Sequence, residues 1–113
     1  MNDSTIESIN FVIKHIKIVL SDTKDILLDD LRGNELLLRA TCFSIGQIGE
    51  KMAKLKDLLE DNYPNVPWKR AIGMRNFLTH DYDSVDSKAV YETIKNDLPK
   101  LKELFETIKN DFE

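Results

Sequence analysis

An arginine, a histidine and a tyrosine occur within eight positions of one another, as Arg75, His80 and Tyr82. A guanidinium is a permanent cation whose planar fork of donors binds phosphate oxygens two at a time. An imidazole titrates at about pH 6.5, so it can accept or release a proton at neutral pH. A phenol can donate or accept a hydrogen bond, or carry a modification. Together these groups are suited to chemistry on a phosphate ester.

Simpler interpretations of the same residues exist. Cationic side chains near the end of a helix stabilise its dipole, by about 0.3–1 kcal/mol each, and Tyr82 can simply pack on the protein surface. Trp68 can stack on a nucleobase or anchor the start of a helix in the core. From these residue types alone, both interpretations stay open for each position.

Cleavage of a phosphate ester by a neighbouring hydroxyl needs two proton transfers and positive charge against the phosphorane that forms between them. Arg75 can supply the charge and His80 one proton transfer. The other histidine, His15, is 65 positions away on a predicted first helix. A two-fold dimer would bring two copies of His80 together, one as base and one as acid, so the chemistry itself favours a homodimer.

Composition limits the class of protein. The 113 residues suit one domain over residues 1–113. The net charge of −4 argues against a protein that coats nucleic acid through bulk electrostatics. It does not exclude a local cationic cleft, because Lys69, Arg70 and Arg75 occur close together.

Cysteine and histidine usage argues against a metal site. The one cysteine, Cys42, cannot form an internal disulfide and lies in an apolar helical pattern, so we predict a buried, inert thiol. Two distant histidines and one cysteine offer no ligand spacing, so no metal or other cofactor is expected. The N-terminus does not resemble a signal peptide, and no apolar run reaches the roughly 20 residues of a membrane span. We therefore expect a cytoplasmic protein with no membrane contact.

Apolar residues recur every three to four positions along most of the chain, which predicts an all-α fold, a four- to five-helix up-down bundle. The predicted helices cover about 5–21 with an extension to 28 left open, 35–54, a short segment over 56–62, 67–80, and 90 to the end. Asp86 or Ser87 is expected to cap the last helix, and Pro99 to bend or restart it. Gly46 and Gly49 each cost about 1 kcal/mol in a helix interior, which predicts close approach of another helix or a substrate.

Five segments together resemble one family, the HepT-like ribonuclease toxins of the HEPN superfamily. They are Ile-Gly-Gln-Ile-Gly-Glu at 45–50, Tyr-Pro-Asn-Val-Pro-Trp at 63–68, Gly-Met-Arg-Asn at 73–76, His-Asp-Tyr at 80–82 and Asp-Leu-Pro at 97–99. The resemblance covers about residues 6–108, with the segments in the expected order and spacing.

The resemblance implies a HEPN-like helical bundle that works as a homodimer, with two motifs facing a shared cleft. It implies metal-independent cleavage of RNA, such as tRNA or mRNA, that leaves 2′,3′-cyclic phosphate ends. The usual partner is an MntA-like nucleotidyltransferase antitoxin of a type VII-like toxin–antitoxin pair, which transfers AMP to the motif tyrosine. By position, Arg75 and His80 are then catalytic, Asn76 supporting and Tyr82 the site of AMP transfer.

Two features depart from the family pattern in a mild way. Asp81 places a carboxylate beside His80 and can raise the proton affinity of the imidazole, and the acidic net charge disfavours strong unspecific RNA binding. The competing hypothesis is a noncatalytic module, whose motif cleft binds a nucleotide or the nucleotidyltransferase partner and cuts nothing.

Overall fold

Three long helices form the framework of the bundle. The computed structural model describes residues 3–78 and 84–112, and every regular element in these ranges is helical. In chain order the helices are α1 (Asp3–Asp22), α2 (Leu28–Arg32), α3 (Glu35–Leu59), α4 (Trp68–Gly73), α5 (Ser87–Glu92) and α6 (Leu98–Asp111). Helix α1 packs against both α3 and α6, while α4 packs against α3. The predicted all-α bundle is therefore confirmed.

The core lies where the apolar stripes of the three long helices meet. Each helix buries residues three or four positions apart, as expected of amphipathic helices. Side chains that are almost fully buried include Ile9 and Ile16 of α1, Ile45, Ile48 and Met52 of α3, and Leu101 and Phe105 of α6. Burial of one such side chain stabilises the fold by roughly 1.5–3 kcal/mol, so this core holds the shorter elements in place.

The first helix does not extend to residue 28. It ends at Asp22, and the Thr23 hydroxyl donates to the Val19 carbonyl at 2.7 Å. Asp25 then adopts a left-handed backbone conformation with φ of 60°. Aspartate tolerates this conformation better than most residues, so the chain turns here and starts a separate helix at Leu28.

The helix predicted over 35–54 and the segment predicted over 56–62 are one continuous helix, α3, which ends at Leu59. Asn34 caps its start, since its side chain accepts from the Leu37 amide. Leu55 and Leu59 are buried and continue the apolar face, so nothing in this stretch interrupts the helix.

The predicted C-terminal helix is interrupted by a π-helical turn that ends just before α6 and its Pro99. Asp86 caps α5, accepting from the backbone amides of Lys88 and Ala89. A π-helical turn, Thr93–Asp97, then connects α5 to α6, which has Pro99 in its first turn. Proline has no amide hydrogen and its ring crowds the preceding turn, which the wider π turn accommodates. The prediction that Pro99 restarts the helix is confirmed.

Candidate active site

Helix α4 begins from a fixed connector over residues 63–67. The Trp68 indole donates to the Tyr63 carbonyl at 3.0 Å, and its ring meets the edge of Phe105 with 6.4 Å between centroids. Trp68 is only 4% exposed. It therefore anchors the start of α4 in the core, and its ring does not offer a surface on which a base could stack.

The helix predicted over 67–80 is much shorter than expected. Helix α4 ends at Gly73 and tightens into a 3₁₀ turn, Met74–Phe77, after which Leu78 leaves the helical region with ψ of 87°. The last part of the predicted helix is therefore wrong, because Asn76 lies in a 3₁₀ turn and Leu78 is no longer helical. Arg75 lies in the 3₁₀ turn.

Gly46 and Gly49 of α3 form a notch into which the turn carrying Arg75 fits; we call this pair the glycine notch. A Cβ atom on Gly49 would overlap the Arg75 amide nitrogen and lie 3.0 Å from both Arg75 Cα and the Met74 carbonyl carbon. A Cβ atom on Gly46 would overlap the Leu78 side chain. The prediction that these glycines permit close approach of another segment is confirmed, and the segment is the one that carries Arg75.

Arg75 differs from the other three arginines of the chain in its partners. Arg32, Arg39 and Arg70 lie 3.7, 3.9 and 3.0 Å from a carboxylate of Asp29, Glu35 and Asp97, respectively. Arg75 is exposed, and its guanidinium has no ion pair with any residue in 3–78 or 84–112. The backbone of Arg75 is thus held against the notch, while its exposed guanidinium meets no carboxylate of the described residues.

Asn76 lies beside Arg75 at the wall of a small cavity. The cavity, of about 210 Å³, lies between the end of the 3₁₀ turn (Asn76 and Phe77) and the start of the α5 region (Ser84, Val85 and Asp86). These two walls flank residues 79–83 in the sequence. His80 and Tyr82, predicted as the catalytic histidine and the modified tyrosine, lie outside the described residues, and their roles stay predictions.

The sequence left open a local cationic cleft at Lys69, Arg70 and Arg75, and the structure pairs one of these residues with a carboxylate. All three are exposed, but Arg70 Nε contacts Asp97 Oδ2 at 3.0 Å, across from α4 to the π turn. Sequence reasoning missed this pairing. The available signal was the Asp-Leu-Pro segment, whose proline marks the helix restart that places Asp97.

His15 and Cys42 do not belong to this site. The His15 ring stacks on Phe11 with centroids 4.0 Å apart, and its Nδ1 atom has no hydrogen-bond partner among the described residues. Burial, together with the neighbouring Lys14, lowers the pKa of His15. Cys42 is fully buried, and burial raises the pKa of its thiol to about 11. The prediction that the Cys42 thiol is buried is confirmed.

The described residues contain neither a helix that could span a membrane nor a group of side chains that could hold a metal ion. Over residues 3–78 and 84–112, no helix is both long and apolar enough to cross a membrane. Within the same ranges, no three histidine, cysteine, aspartate or glutamate side chains are grouped so that they could hold a metal ion.

Comparison with known proteins identifies the family. The model of the ribonuclease HepT-like family matches residues 12–108. Relatives in Methanocaldococcus jannaschii include RNase MJ1380, 33% identical over 84 residues (74% of this chain and 77% of the relative), and RNase MJ0125, 31% identical over 102 residues (90% and 88%). A ribonuclease HepT of Thermococcus cleftensis is 28% identical over 87 residues (77% and 79%). The names of all three relatives mark the ribonuclease assignment as provisional, and no solved structure matches the chain. The chain belongs to the ribonuclease HepT-like family.

Proposed function

We propose that this chain is a metal-independent endoribonuclease, built as a single HEPN-like domain, that acts in the cytoplasm as the toxin of a type VII-like toxin–antitoxin pair. The observation that carries the proposal is the exposed guanidinium of Arg75, which has no carboxylate partner in the described chain and stands on a backbone pressed against Gly49. A phosphodiester is the natural partner of such a group. Family membership supports RNA as the substrate.

The proposed reaction is an internal transesterification. The 2′-hydroxyl loses its proton and attacks the adjacent phosphorus, and the bond from phosphorus to the 5′-oxygen breaks. The products are a 2′,3′-cyclic phosphate and a 5′-hydroxyl. Arg75 stabilises the charge on the phosphorane, a role for which removal of one donor typically costs 10²–10³-fold in rate. His80 of one protomer removes the first proton and His80 of its partner supplies the second, while Asn76 supports the motif.

The proposed control is AMP transfer to Tyr82 by an MntA-like nucleotidyltransferase antitoxin. Tyr82 stands two positions from His80 in the sequence. An AMP group there adds a negative phosphate and a bulky nucleoside close to the histidine that performs the proton transfer. Repulsion of the RNA backbone then explains how modification inhibits cleavage.

Analysis of RNA ends tests the proposed activity. Purified, unmodified protein is incubated with tRNA and with mRNA fragments in the presence of EDTA, and the new 3′ ends are identified. We expect 2′,3′-cyclic phosphate ends, which Arg75→Ala and His80→Ala each abolish while leaving the thermal unfolding midpoint unchanged. Cleavage that persists in both variants contradicts the assignment of the site. If the wild-type protein cuts none of the RNAs, the noncatalytic binding module is the better description.

Mixing protomers tests whether the site is shared. Wild-type protein is unfolded and refolded with a ninefold excess of His80→Ala protein, so that about nine in ten wild-type chains pair with a variant in a two-fold dimer. We expect activity per wild-type chain to fall about tenfold, because each mixed dimer lacks one of its two histidines. Activity that stays proportional to the wild-type chain would show that each protomer works alone.

Mass spectrometry tests the proposed modification. The chain is coexpressed with the proposed MntA-like nucleotidyltransferase, and its mass is compared with that of a Tyr82→Phe variant. We expect the wild-type chain to gain AMP and the variant to gain none, since only the wild type offers the hydroxyl. AMP on the Tyr82→Phe variant would place the modification on another residue.

A further inference from the structure

The outward face of α3 carries apolar side chains that the rest of the chain leaves uncovered. Leu36 is 78% exposed and Phe43 is 54% exposed. Together with Leu58 of the same helix, they are three of the five large hydrophobic side chains that are exposed among the described residues. A single exposed apolar residue is common on a protein surface, whereas several on one helix face mark an interaction site.

The spacing on this face is that of a seam between two helices. Leu36, Ala40, Phe43 and Gln47 follow one another at intervals of four, three and four residues, and we call these four residues the α3 stripe. The first three are exposed and Gln47 is partly exposed. Alternating steps of three and four residues keep side chains on one side of a helix, so a second helix can pack along them.

The α3 stripe is complementary to a second copy of itself. In an antiparallel pair with its two-fold axis between Ala40 and Phe43, the small Ala40 of one protomer faces the large Phe43 of its partner. Leu36 then faces Gln47 of the partner, whose aliphatic carbons can cover it. Two-fold symmetry makes each of these contacts twice, so one short segment supplies both sides of the interface.

Charge also favours a contact between copies along this face. Each chain has a net charge of −4, so two copies repel one another unless their contacting surfaces are neutral. The α3 stripe contains no charged residue. At its edge, Arg39 Nη1 lies 3.9 Å from Glu35 Oε1, so these two charges offset each other within one chain. Two acidic chains can therefore meet here without bringing like charges together.

Position links the α3 stripe to the candidate active site. Gly46 lies three residues beyond Phe43 and is the position where a Cβ atom would overlap the Leu78 side chain. Leu78 precedes His80 by two positions. We propose that a second copy of this chain docks on the α3 stripe, α3 against α3, and that this pairing completes the site. The proposal rests on the proposed function in one respect, since the reaction needs a His80 from each of two protomers.

Sedimentation velocity tests the surface. We expect the wild type to sediment as a dimer, and Phe43→Glu to raise the dissociation constant of the dimer at least about 10²-fold, because like charges would meet near the axis. Ile18→Glu is the matched control, since Ile18 is 37% exposed and lies in a groove between α1 and α6 with Lys14, Lys17 and Lys109. A monomeric wild type refutes the interface, and so does a Phe43→Glu dimer as tight as that of Ile18→Glu.

Two doubly substituted chains test the antiparallel pairing. One carries Ala40→Lys and Phe43→Lys, and the other carries Ala40→Glu and Phe43→Glu. Because position 40 of one protomer faces position 43 of its partner, we expect the mixture to pair at least about tenfold more tightly than either chain pairs with itself. A mixture that pairs no more tightly than the separate chains refutes the proposed arrangement. Circular dichroism shows whether each chain keeps its helices.

RNA cleavage separates this proposal from the proposed function. We expect Phe43→Glu to lose cleavage at concentrations at which it is monomeric, while Ile18→Glu cuts as the wild type does. A monomeric Phe43→Glu that cuts at the wild-type rate refutes the claim that pairing completes the site. A wild type that pairs through the α3 stripe but cuts no RNA refutes the proposed function and leaves the interface in place.

Discussion

Arg70 and Arg75 are five residues apart in one short segment, yet the fold uses them differently. Arg70 lies on α4 and meets Asp97 of the π turn at 3.0 Å. Arg75 lies in the 3₁₀ turn against the glycine notch and has no ion pair in the described chain. The difference comes from the neighbouring element. Next to Arg70 the chain supplies a carboxylate, whereas next to the Arg75 backbone it supplies Gly49, which permits a close approach.

This contrast shows that a small acidic protein can keep an exposed arginine apart from the carboxylates of its described residues. With a net charge of −4 there is no shortage of carboxylates that could neutralise an arginine. The described surroundings of Arg75 offer none within ion-pair distance. An exposed ion pair typically contributes only about 0–1 kcal/mol, so stability does not require a carboxylate beside Arg75.

Substitution of Gly49 is expected to have the largest effect, because it changes the position of Arg75 and leaves that of Arg70. Gly49→Ala places a methyl group against the Arg75 backbone. Overpacking of this kind typically lowers the free energy of unfolding by about 1–3 kcal/mol. The better helix propensity of alanine offsets up to about 1 kcal/mol of this loss. We expect a lower free energy of unfolding, measured with urea, and RNA cleavage reduced at least about tenfold, since small displacements of a positioning group can cost up to about 10² in rate.

Gly73→Ala is the matched control for that experiment. Gly73 ends α4, and a Cβ atom there meets nothing within 4 Å. We expect the free energy of unfolding to rise by up to about 1 kcal/mol and cleavage to stay close to the wild-type rate. If Gly49→Ala and Gly73→Ala behave alike, the notch does not position Arg75.

A double-mutant cycle measures how strongly Arg70 and Asp97 interact. Arg70→Ala, Asp97→Ala and the double variant are unfolded with urea, and the coupling free energy is calculated. Because Arg70 is largely exposed, we expect a coupling of only about 0.2–1 kcal/mol. A coupling of zero would show that the 3.0 Å contact does not hold the two groups together in solution.

The smallest predicted effect is the pH dependence of folding stability that His15 causes. Its folded-state pKa is lowered by burial and by Lys14, so the unfolded chain binds this proton more readily. The contribution to stability is therefore fully present above the unfolded pKa of about 6.5 and is lost as the pH falls through that value toward the folded pKa.

The corresponding variant is His15→Leu, which removes the titration and keeps an apolar side chain. We expect its thermal midpoint to fall less than that of the wild type between pH 7 and pH 5, with cleavage at pH 7 unchanged. All other titratable groups are the same in both proteins and cancel in the comparison. A larger fall in His15→Leu than in the wild type would contradict the direction of the pKa shift, and loss of cleavage would give His15 a part in the site.

Much of the fold follows from local sequence patterns. The 3–4 spacing of apolar residues predicted the long helices, Asn34 and Asp86 act as caps, and Pro99 marks a restart. The cost of Gly46 and Gly49 inside a helix predicted a close approach there. These signals succeed because each depends on residues within a few positions of one another.

The details of the candidate site depend on contacts between distant segments. The change from α-helix to 3₁₀ turn at Met74 accompanies close contact with α3, which local propensity does not encode. Asp97 is 27 positions from Arg70, and the sequence does not state which of several cations it meets. The sequence therefore identified Arg75 as a candidate, while the structure was needed to separate it from Arg70.

The most direct test compares single-turnover cleavage of one RNA by the wild type, Arg75→Ala and Arg70→Ala, with thermal unfolding of each. We predict that Arg75→Ala loses at least about 10²-fold in rate with an unchanged midpoint, and that Arg70→Ala retains far more activity with a slightly lower midpoint. Equal losses of cleavage in the two variants, or an active Arg75→Ala, would contradict the claim that Arg75 at the glycine notch acts on RNA.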